Sequence, residues 1–166
     1  MRRAKLMKLR LVSKTVGTAL NVTKFGIGAF ITLEYIGGFV VCVGPSMEPT
    51  VWTRDVLLTE HISPRLGRID RGDIIVARCP MDRQCICKRV VGVAGDQFKF
   101  QGQQITIPSG FVWLEGDNKF NSQDSRQYGP VPVEMIRRRC LGKVYPSIDF
   151  KFDSAAYQVD AAVEAS

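Results

Sequence analysis

Cys85-Ile86-Cys87-Lys88-Arg89-Val90-Val91-Gly92-Val93 is a run of β-branched and small apolar residues interrupted only by Lys88 and Arg89. Nothing in it repeats every three or four positions, so it reads as a strand rather than a helix. Runs of the same texture lie at 39–43, 56–59 and 74–78 before it, and at 98–100, 105–107, 111–115 and 140–145 after it. Turns rich in Gly, Pro and Asp separate these runs, and Gln101-Gly102-Gln103-Gln104 has the composition of a hairpin connection. Many short strands without intervening helices predict an all-β body, mainly antiparallel, built as a twisted and partly closed sheet system.

The N-terminal side has a different chemistry. Residues 1–24 carry seven basic groups (Arg2, Arg3, Lys5, Lys8, Arg10, Lys14 and Lys24) and no acidic one. The formal net charge of the whole chain is +7, so everything after residue 24 is formally neutral. That distribution argues against nucleic acid as a partner, because a phosphate-binding domain carries its basic patch on the folded body. From Val16 to Val43 the chain is mainly apolar, interrupted by Lys24 and Glu34 and weakened as a helix by Gly17, Gly26 and Gly28. About 20 apolar residues cross a bilayer, so a basic leader with a membrane-anchor helix is expected over 1–38. An amphipathic helix lying on the membrane is the alternative. The body is then 39–153, and the Ala-rich tail 154–166 is expected to be disordered.

The chain of 166 residues has one histidine, His61, which lies in a loop-like His-Ile-Ser-Pro-Arg stretch. Its five cysteines (Cys42, Cys79, Cys85, Cys87 and Cys140) contain no Cys-x-x-Cys pair. No metal site and no cofactor is therefore signalled. A Cys79–Cys85 disulfide across a short loop is conceivable in an oxidising compartment.

Three segments are chemically unusual. Gly44-Pro45-Ser46-Met47-Glu48-Pro49-Thr50 follows an apolar run and presents Ser46 on a rigid turn, although turn serines mostly do no chemistry. In the quoted run, alternation puts Ile86, Lys88 and Val90 on one face and Cys87, Arg89 and Val91 on the other. If the first face points inward, Lys88 carries an amine among branched apolar side chains; on an edge strand, the same lysine would merely deter aggregation. An unperturbed lysine has a pKa of about 10.4, and bringing it near 7 takes about 4.6 kcal/mol, within reach of a dry pocket. The third segment, 116–130, is dense in short polar side chains and holds Ser122, Asp124 and Arg126, a pair able to brace a loop.

In order and spacing, Ser-Met-Glu-Pro-Thr (46–50), Arg-Gly-Asp-Ile-Ile (71–75), Lys-Arg-Val-Val-Gly (88–92) and Gly-Asp-Asn with Asn-Ser-Gln-Asp-Ser-Arg-Gln-Tyr-Gly-Pro-Val-Pro (116–132) resemble the type I signal peptidase family. The short length and the Val-Cys-Val-Gly-Pro-Ser lead-in are most similar to the members that work in the mitochondrial inner membrane. The resemblance implies a serine endopeptidase with Ser46 as nucleophile and Lys88 as general base, a pairing that needs no histidine. It assigns Ser122 to orienting the lysine, and Asp124, Arg126 and Arg89 to holding the surrounding segment. The oxyanion donor would be the Ser46 backbone N–H. Some bacterial members add a serine hydroxyl two residues before the nucleophile, where this chain has Gly44, so Gly44 offers backbone alone.

Met47, Ile86 and Cys87 would line the small pockets that select the residue before the cut. Asp73 and Asp117 read as structural. Substrates would be precursor proteins with cleavable sorting peptides bound for the mitochondrial intermembrane space. Other implied partners are the inner membrane lipid and, in a heterodimer, a sister catalytic subunit. A bacterial-type peptidase of the plasma membrane, a self-cleaving repressor and an inactive membrane-tethered β adaptor are the competing readings. The repressor would need a DNA-binding helix pair, where residues 1–38 read as an anchor.

Overall fold

The computed structural model describes residues 2–32 and 37–150. The expected disordered tail, and Glu34 within the apolar run, lie outside the described residues. The chain divides into two compact units, residues 1–36 and 37–166. The first contains α1 (Arg2–Ile31), a 30-residue helix, about 45 Å long at 1.5 Å per residue. Val22, Phe25 and Phe30 on it are exposed. No helix among the described residues is long and apolar enough to cross a membrane. Residues 33–36 of the span expected within 16–36 lie outside the described residues, and no span is found in the part that is described. Lys24, Asn21, three glycines and the threonines dilute the apolar run before it reaches spanning length.

The second unit is built on one antiparallel sheet. Its strands are β1 (Gly37–Val41), β2 (Val56–Glu60), β3 (Ile74–Arg78), β4 (Cys85–Gly92), β7 (Phe111–Glu115), β8 (Val131–Pro132) and β9 (Ile136–Tyr145). A separate hairpin pairs β5 (Gln97–Phe100) with β6 (Gln103–Thr106), and two single-turn helices, α2 (Ile62–Arg65) and α3 (Ser125–Tyr128), sit in connections. The spatial order is β1-β2-β9-β3-β4-β7-β8. β1 and β8 end the sheet on opposite sides, so it stays open among the described residues and the expected partial closure is not made by strand pairing. In the hairpin Phe100 faces Gln103, and the two linking residues Gln101 and Gly102 have φ of 50° and 79°, the positive pair that a type I′ turn requires.

β9 begins at Ile136, earlier than the apolar run at 140 suggests, because its arginines find partners. Arg139 Nε lies 3.0 Å from Glu60 Oε1 on β2, and Thr59 pairs with Cys140 in register. The last long strand is therefore the spine between β2 and β3.

Burial explains why β4 is central. Ile75, Ala77, Val90, Leu114, Val131 and Ile136 form one apolar cluster, with Ile86 packed against it. Cys42, Met47, Val51, Leu57, Ile74, Val76 and Cys140 form a second, with Cys87 against it. Val91, Ile107 and Trp113 form a third, where Phe98 stacks on Trp113 at a centroid distance of 4.8 Å. Alternate residues of β4 thus enter clusters on both of its faces. Lys88 pairs with β3 while the β7 ladder begins one residue later, at Arg89, yet its side chain is only 3% exposed, so it is not the solvated lysine that guards an edge strand.

Candidate active site

Ser46 follows β1 through two extended residues tied to the neighbouring chain: Cys42 N–H donates to Asp55 O at 2.9 Å, and Arg54 N–H to Cys42 O at 2.8 Å. The chain then reverses at Gly44, whose φ of +104° belongs to the region L side chains rarely adopt. That backbone demand accounts for glycine at the position where a hydroxyl could otherwise have been offered. Met47 and Val51 are buried and closed into a turn by a 2.9 Å bond from Val51 N–H to Met47 O. Their burial in the second cluster pins the turn and leaves Ser46 half-buried.

Lys88 lies in β4 opposite Ile75 of β3 and is only 3% exposed. Burial pushes its amine below the ordinary lysine range, and the Asp124 carboxylate and neighbouring thiols only partly offset that loss of hydration. The amine makes no hydrogen bond or ion pair with any described residue, a state that favours the neutral form.

The carboxylate that partly offsets this loss of hydration is held tightly. Asp124 is fully buried, and it caps α3 while accepting five hydrogen bonds. The donors are Ser122 Oγ at 2.7 Å, Gly116 N at 3.0 Å, Arg126 Nε and Nη2 at 2.8 Å each, and Arg126 N at 3.3 Å. Burial alone would raise its pKa, but the Arg126 guanidinium, the Gly116 N–H and the Ser122 hydroxyl together hold it below the usual carboxylate range. Ser125, equally buried, accepts the Leu114 N–H at 2.9 Å and ties the same segment to β7. Ser122 gives its proton to Asp124, so its oxygen lone pairs are left to accept from an amine.

The next residue on β4, Arg89, turns to the opposite face and is 2% exposed. It makes a two-pronged pair with Asp117, Nε to Oδ1 at 2.9 Å and Nη2 to Oδ2 at 2.7 Å, while Nη1 reaches Gly72 O at 2.9 Å. The strand bearing Lys88 is thereby locked to the start of the 116–126 segment. That segment meets the Ser46 turn. Asn118 N–H donates to Ser46 O and Asn118 Nδ2 to Pro45 O, each at 3.1 Å. Gly116 is wedged between the Ser46 carbonyl and the Ser122 side chain so closely that a Cβ there would strike both.

Ser46, Ser122, Asp124 and Arg126 are thus assembled around one polar segment, with Arg89 anchoring it and Lys88 within electrostatic reach of Asp124 and Arg126. Of the three expected pocket residues, Met47 and Cys87 share the second apolar cluster, whereas Ile86 packs into the first, across β4. His61 sits at the start of α2 with Nδ1 3.1 Å from Arg137 O. All five cysteines are free, so the conceivable Cys79–Cys85 bridge is not formed. Hydrogen bonding to Cys87 and burial push the Cys42 thiol up, so it acts as a small apolar side chain. Gly116 and Asn118 escaped the sequence reading: both lie in the Gly-Asp-Asn stretch, but only their contacts with residues some 70 positions away reveal their work.

A half-buried hydroxyl on a rigid turn, a desolvated lysine and a hydrogen-bonded polar loop are the chemically notable groups of the second unit. The signal peptidase, peptidase S26 profile matches residues 16–108 and 99–145. The chain is 43% identical over 149 residues to mitochondrial inner membrane protease subunit 1 of Homo sapiens, covering 86% of this chain and 90% of that protein. It is 33% identical over 112 residues to mitochondrial inner membrane protease subunit 2 of Danio rerio, covering 62% and 61% respectively. A crystal structure of a signal peptidase I from Enterococcus faecalis matches 41% of this chain and 92% of its own, at 21% identity and a TM-score of 0.37. The chain belongs to the S26 signal peptidase family, whose catalysis is of the serine peptidase type. Its relatives place it at the mitochondrial inner membrane.

Proposed function

We propose that Ser46 and Lys88 form the catalytic dyad of this peptidase, and that it removes sorting peptides from precursor proteins of the intermembrane space. The burial of Lys88 carries the reading: a lysine 3% exposed, without an ion-pair partner among the described residues and with its charged form disfavoured, is suited to take a proton rather than to hold one. Neutral Lys88 removes the Ser46 proton as Oγ attacks the scissile carbonyl; Ser122, whose hydroxyl proton is given to Asp124, makes no bond to the amine in the free enzyme and would orient it by accepting an N–H in the reacting complex. The Ser46 N–H stabilises the developing oxyanion. The protonated lysine then gives its proton to the departing amine, and water, deprotonated by the same lysine, hydrolyses the acyl-enzyme. Asp124, Arg126 and Arg89 hold the frame in which these transfers occur.

Substrate enters as an added strand. Residues 85–88 of β4 pair with β3, while β7 reaches only Arg89 to Gly92, which leaves the first half of that β4 edge unpaired among the described residues. Met47 and Cys87 contribute to the pocket for the residue before the cut, with Ile86 bordering it from the other face of the strand.

Residues 1–38 act as the membrane anchor, with 39–153 as the peptidase domain facing the intermembrane space and 154–166 as a tail. Seven basic groups at the N-terminus suit contact with anionic inner membrane lipid. The protein works in a heterodimer with a sister catalytic subunit, in keeping with relatives named as subunits 1 and 2.

Two experiments test this. Purified wild-type and Ser46→Ala proteins are incubated with candidate precursors and products are mapped by mass spectrometry. Cleavage is expected to fall by ~10⁴-fold or more in the variant, with an unchanged circular dichroism spectrum; a variant with wild-type rate removes Ser46 from the chemistry. Carbonate extraction of isolated mitochondria is expected to leave the chain in the membrane pellet, and its release into the supernatant would assign residues 1–38 to surface attachment instead.

A further inference from the structure

Resting on that reading, we propose that Asn118 is a positioning residue that aims the Ser46 N–H at the oxyanion. The geometry is specific. Asn118 grips two consecutive carbonyls of the nucleophile turn, Pro45 O with its side-chain Nδ2 and Ser46 O with its backbone N–H, each at 3.1 Å. The Pro45–Ser46 peptide is trans and planar, so its C=O and N–H point in opposite directions. Holding the Pro45 carbonyl toward Asn118 therefore turns the Ser46 N–H away from Asn118. That N–H donates to no acceptor among the described residues, and it remains available to a ligand.

The second bond fixes the peptide plane that follows Ser46. With both planes held, the direction in which Ser46 projects Oγ is restrained as well. Pro45 O also accepts the Glu48 N–H at 3.2 Å. Two donors on one carbonyl polarise the amide and strengthen its N–H as a donor.

Two features make this arrangement consequential. Gly44 supplies no hydroxyl, so within this reading the Ser46 N–H meets the oxyanion without a side-chain donor from that position. And Asn118 is itself anchored, because the adjacent Asp117 is paired at 2.7 Å to Arg89 with both side chains buried. Arg89 neighbours Lys88. One line of bonds thus joins the strand that carries the base to the peptide that carries the oxyanion donor. Asparagine is required at the end of that line, since an aspartate would face the Pro45 carbonyl with an oxygen and no proton.

The test uses the full-length protein with a precursor-derived peptide, a peptide aldehyde that forms a tetrahedral adduct with a serine hydroxyl, and a non-cleavable peptide of the same sequence. Wild type, Ser46→Ala, Asn118→Ala and the isosteric Asn118→Asp are compared, with thermal melts on each. Both Asn118 variants are expected to lower kcat by about 10- to 100-fold, a part of what loss of an oxyanion donor costs, with KM within about twofold. Aldehyde affinity should fall in parallel while the non-cleavable peptide binds as before and the pH profile keeps its position. The inference is overturned by kcat near wild type, by a loss confined to KM, or by equal weakening of aldehyde and non-cleavable peptide. A shifted pH profile would tie Asn118 to the base instead, and loss of folding in both variants would assign it to the fold. Full activity in Ser46→Ala would sink the dyad itself, separately from Asn118.

Discussion

Replacing Lys88 by methionine should cut precursor cleavage by roughly 10⁴-fold or more and, in the same protein, raise thermal stability at neutral pH. The two effects have one cause. Methionine keeps most of the side-chain volume but removes an amine from a site that is 3% exposed, where burial disfavours the charged form. Asp124 is not orphaned by the change, because Arg126, Gly116 N–H and Ser122 remain on it. A gain of about 1–3 kcal/mol is expected, in the range seen when buried charge yields to apolar packing.

The pH dependence follows from the direction of the shift. The folded state holds Lys88 with a lowered pKa, while the unfolded chain returns it to about 10.5. At pH below the folded value both states are protonated and wild type bears the full penalty of a buried charge. Between the two values unfolding takes up a proton, so wild-type stability rises with pH relative to the variant. The advantage of methionine should therefore shrink through that window and vanish above it. Wild-type kcat/KM should increase with pH as the neutral base becomes populated. Denaturant melts from neutral pH to 10.5 check the first trend. A methionine variant that is less stable at neutral pH, or that still cleaves, would contradict a desolvated lysine base.

Gly116→Ala should be the most damaging single-methyl change in the body. A Cβ at this position would sit 2.6 Å from Ser122 Cβ and would overlap both Ser122 Oγ and the Ser46 carbonyl. Ser122 could rotate, but only by giving up its 2.7 Å bond to Asp124. The Ser46 carbonyl is backbone and cannot rotate away, and Gly116 is itself held by its N–H bond to Asp124 at 3.0 Å. Overpacking of this kind costs about 1–3 kcal/mol, and a displacement of the turn by as little as ~1 Å can cost ~10²-fold in rate. Cleavage assays and thermal melts read both. Adding Ser122→Ala to Gly116→Ala should not restore activity, because the clash with Ser46 persists; a double variant with wild-type rate would show the turn to be less constrained than these contacts require.

Strand positions were largely legible along the chain because β-favouring runs and turns are local: the runs at 56–59, 74–78 and 111–115 became β2, β3 and β7 nearly residue for residue. The first half of β9 was not, since Arg137, Arg138 and Arg139 carry no β-favouring pattern of their own and the partner Glu60 of Arg139 lies far away in the chain. The alternation rule put Ile86 and Cys87 on opposite faces of β4, and they do enter different clusters, yet it could not tell that both faces are covered. The α1 segment was legible as an apolar, basic helix, but its polar and glycine residues keep it short of spanning character.

By itself the amino-acid order determined the family and the β texture and singled out the serine and lysine proposed as the dyad, because motif spacing and side-chain periodicity are properties of neighbours in the chain. Only the tertiary structure decided that β9 runs between β2 and β3, that Lys88 is buried, and that Asn118 holds the turn of Ser46. Each of these depends on contacts between residues far apart in the chain. Their energies come from water excluded at Lys88 and hydrogen bonds closed between distant loops, and neither quantity is written in any local stretch of sequence.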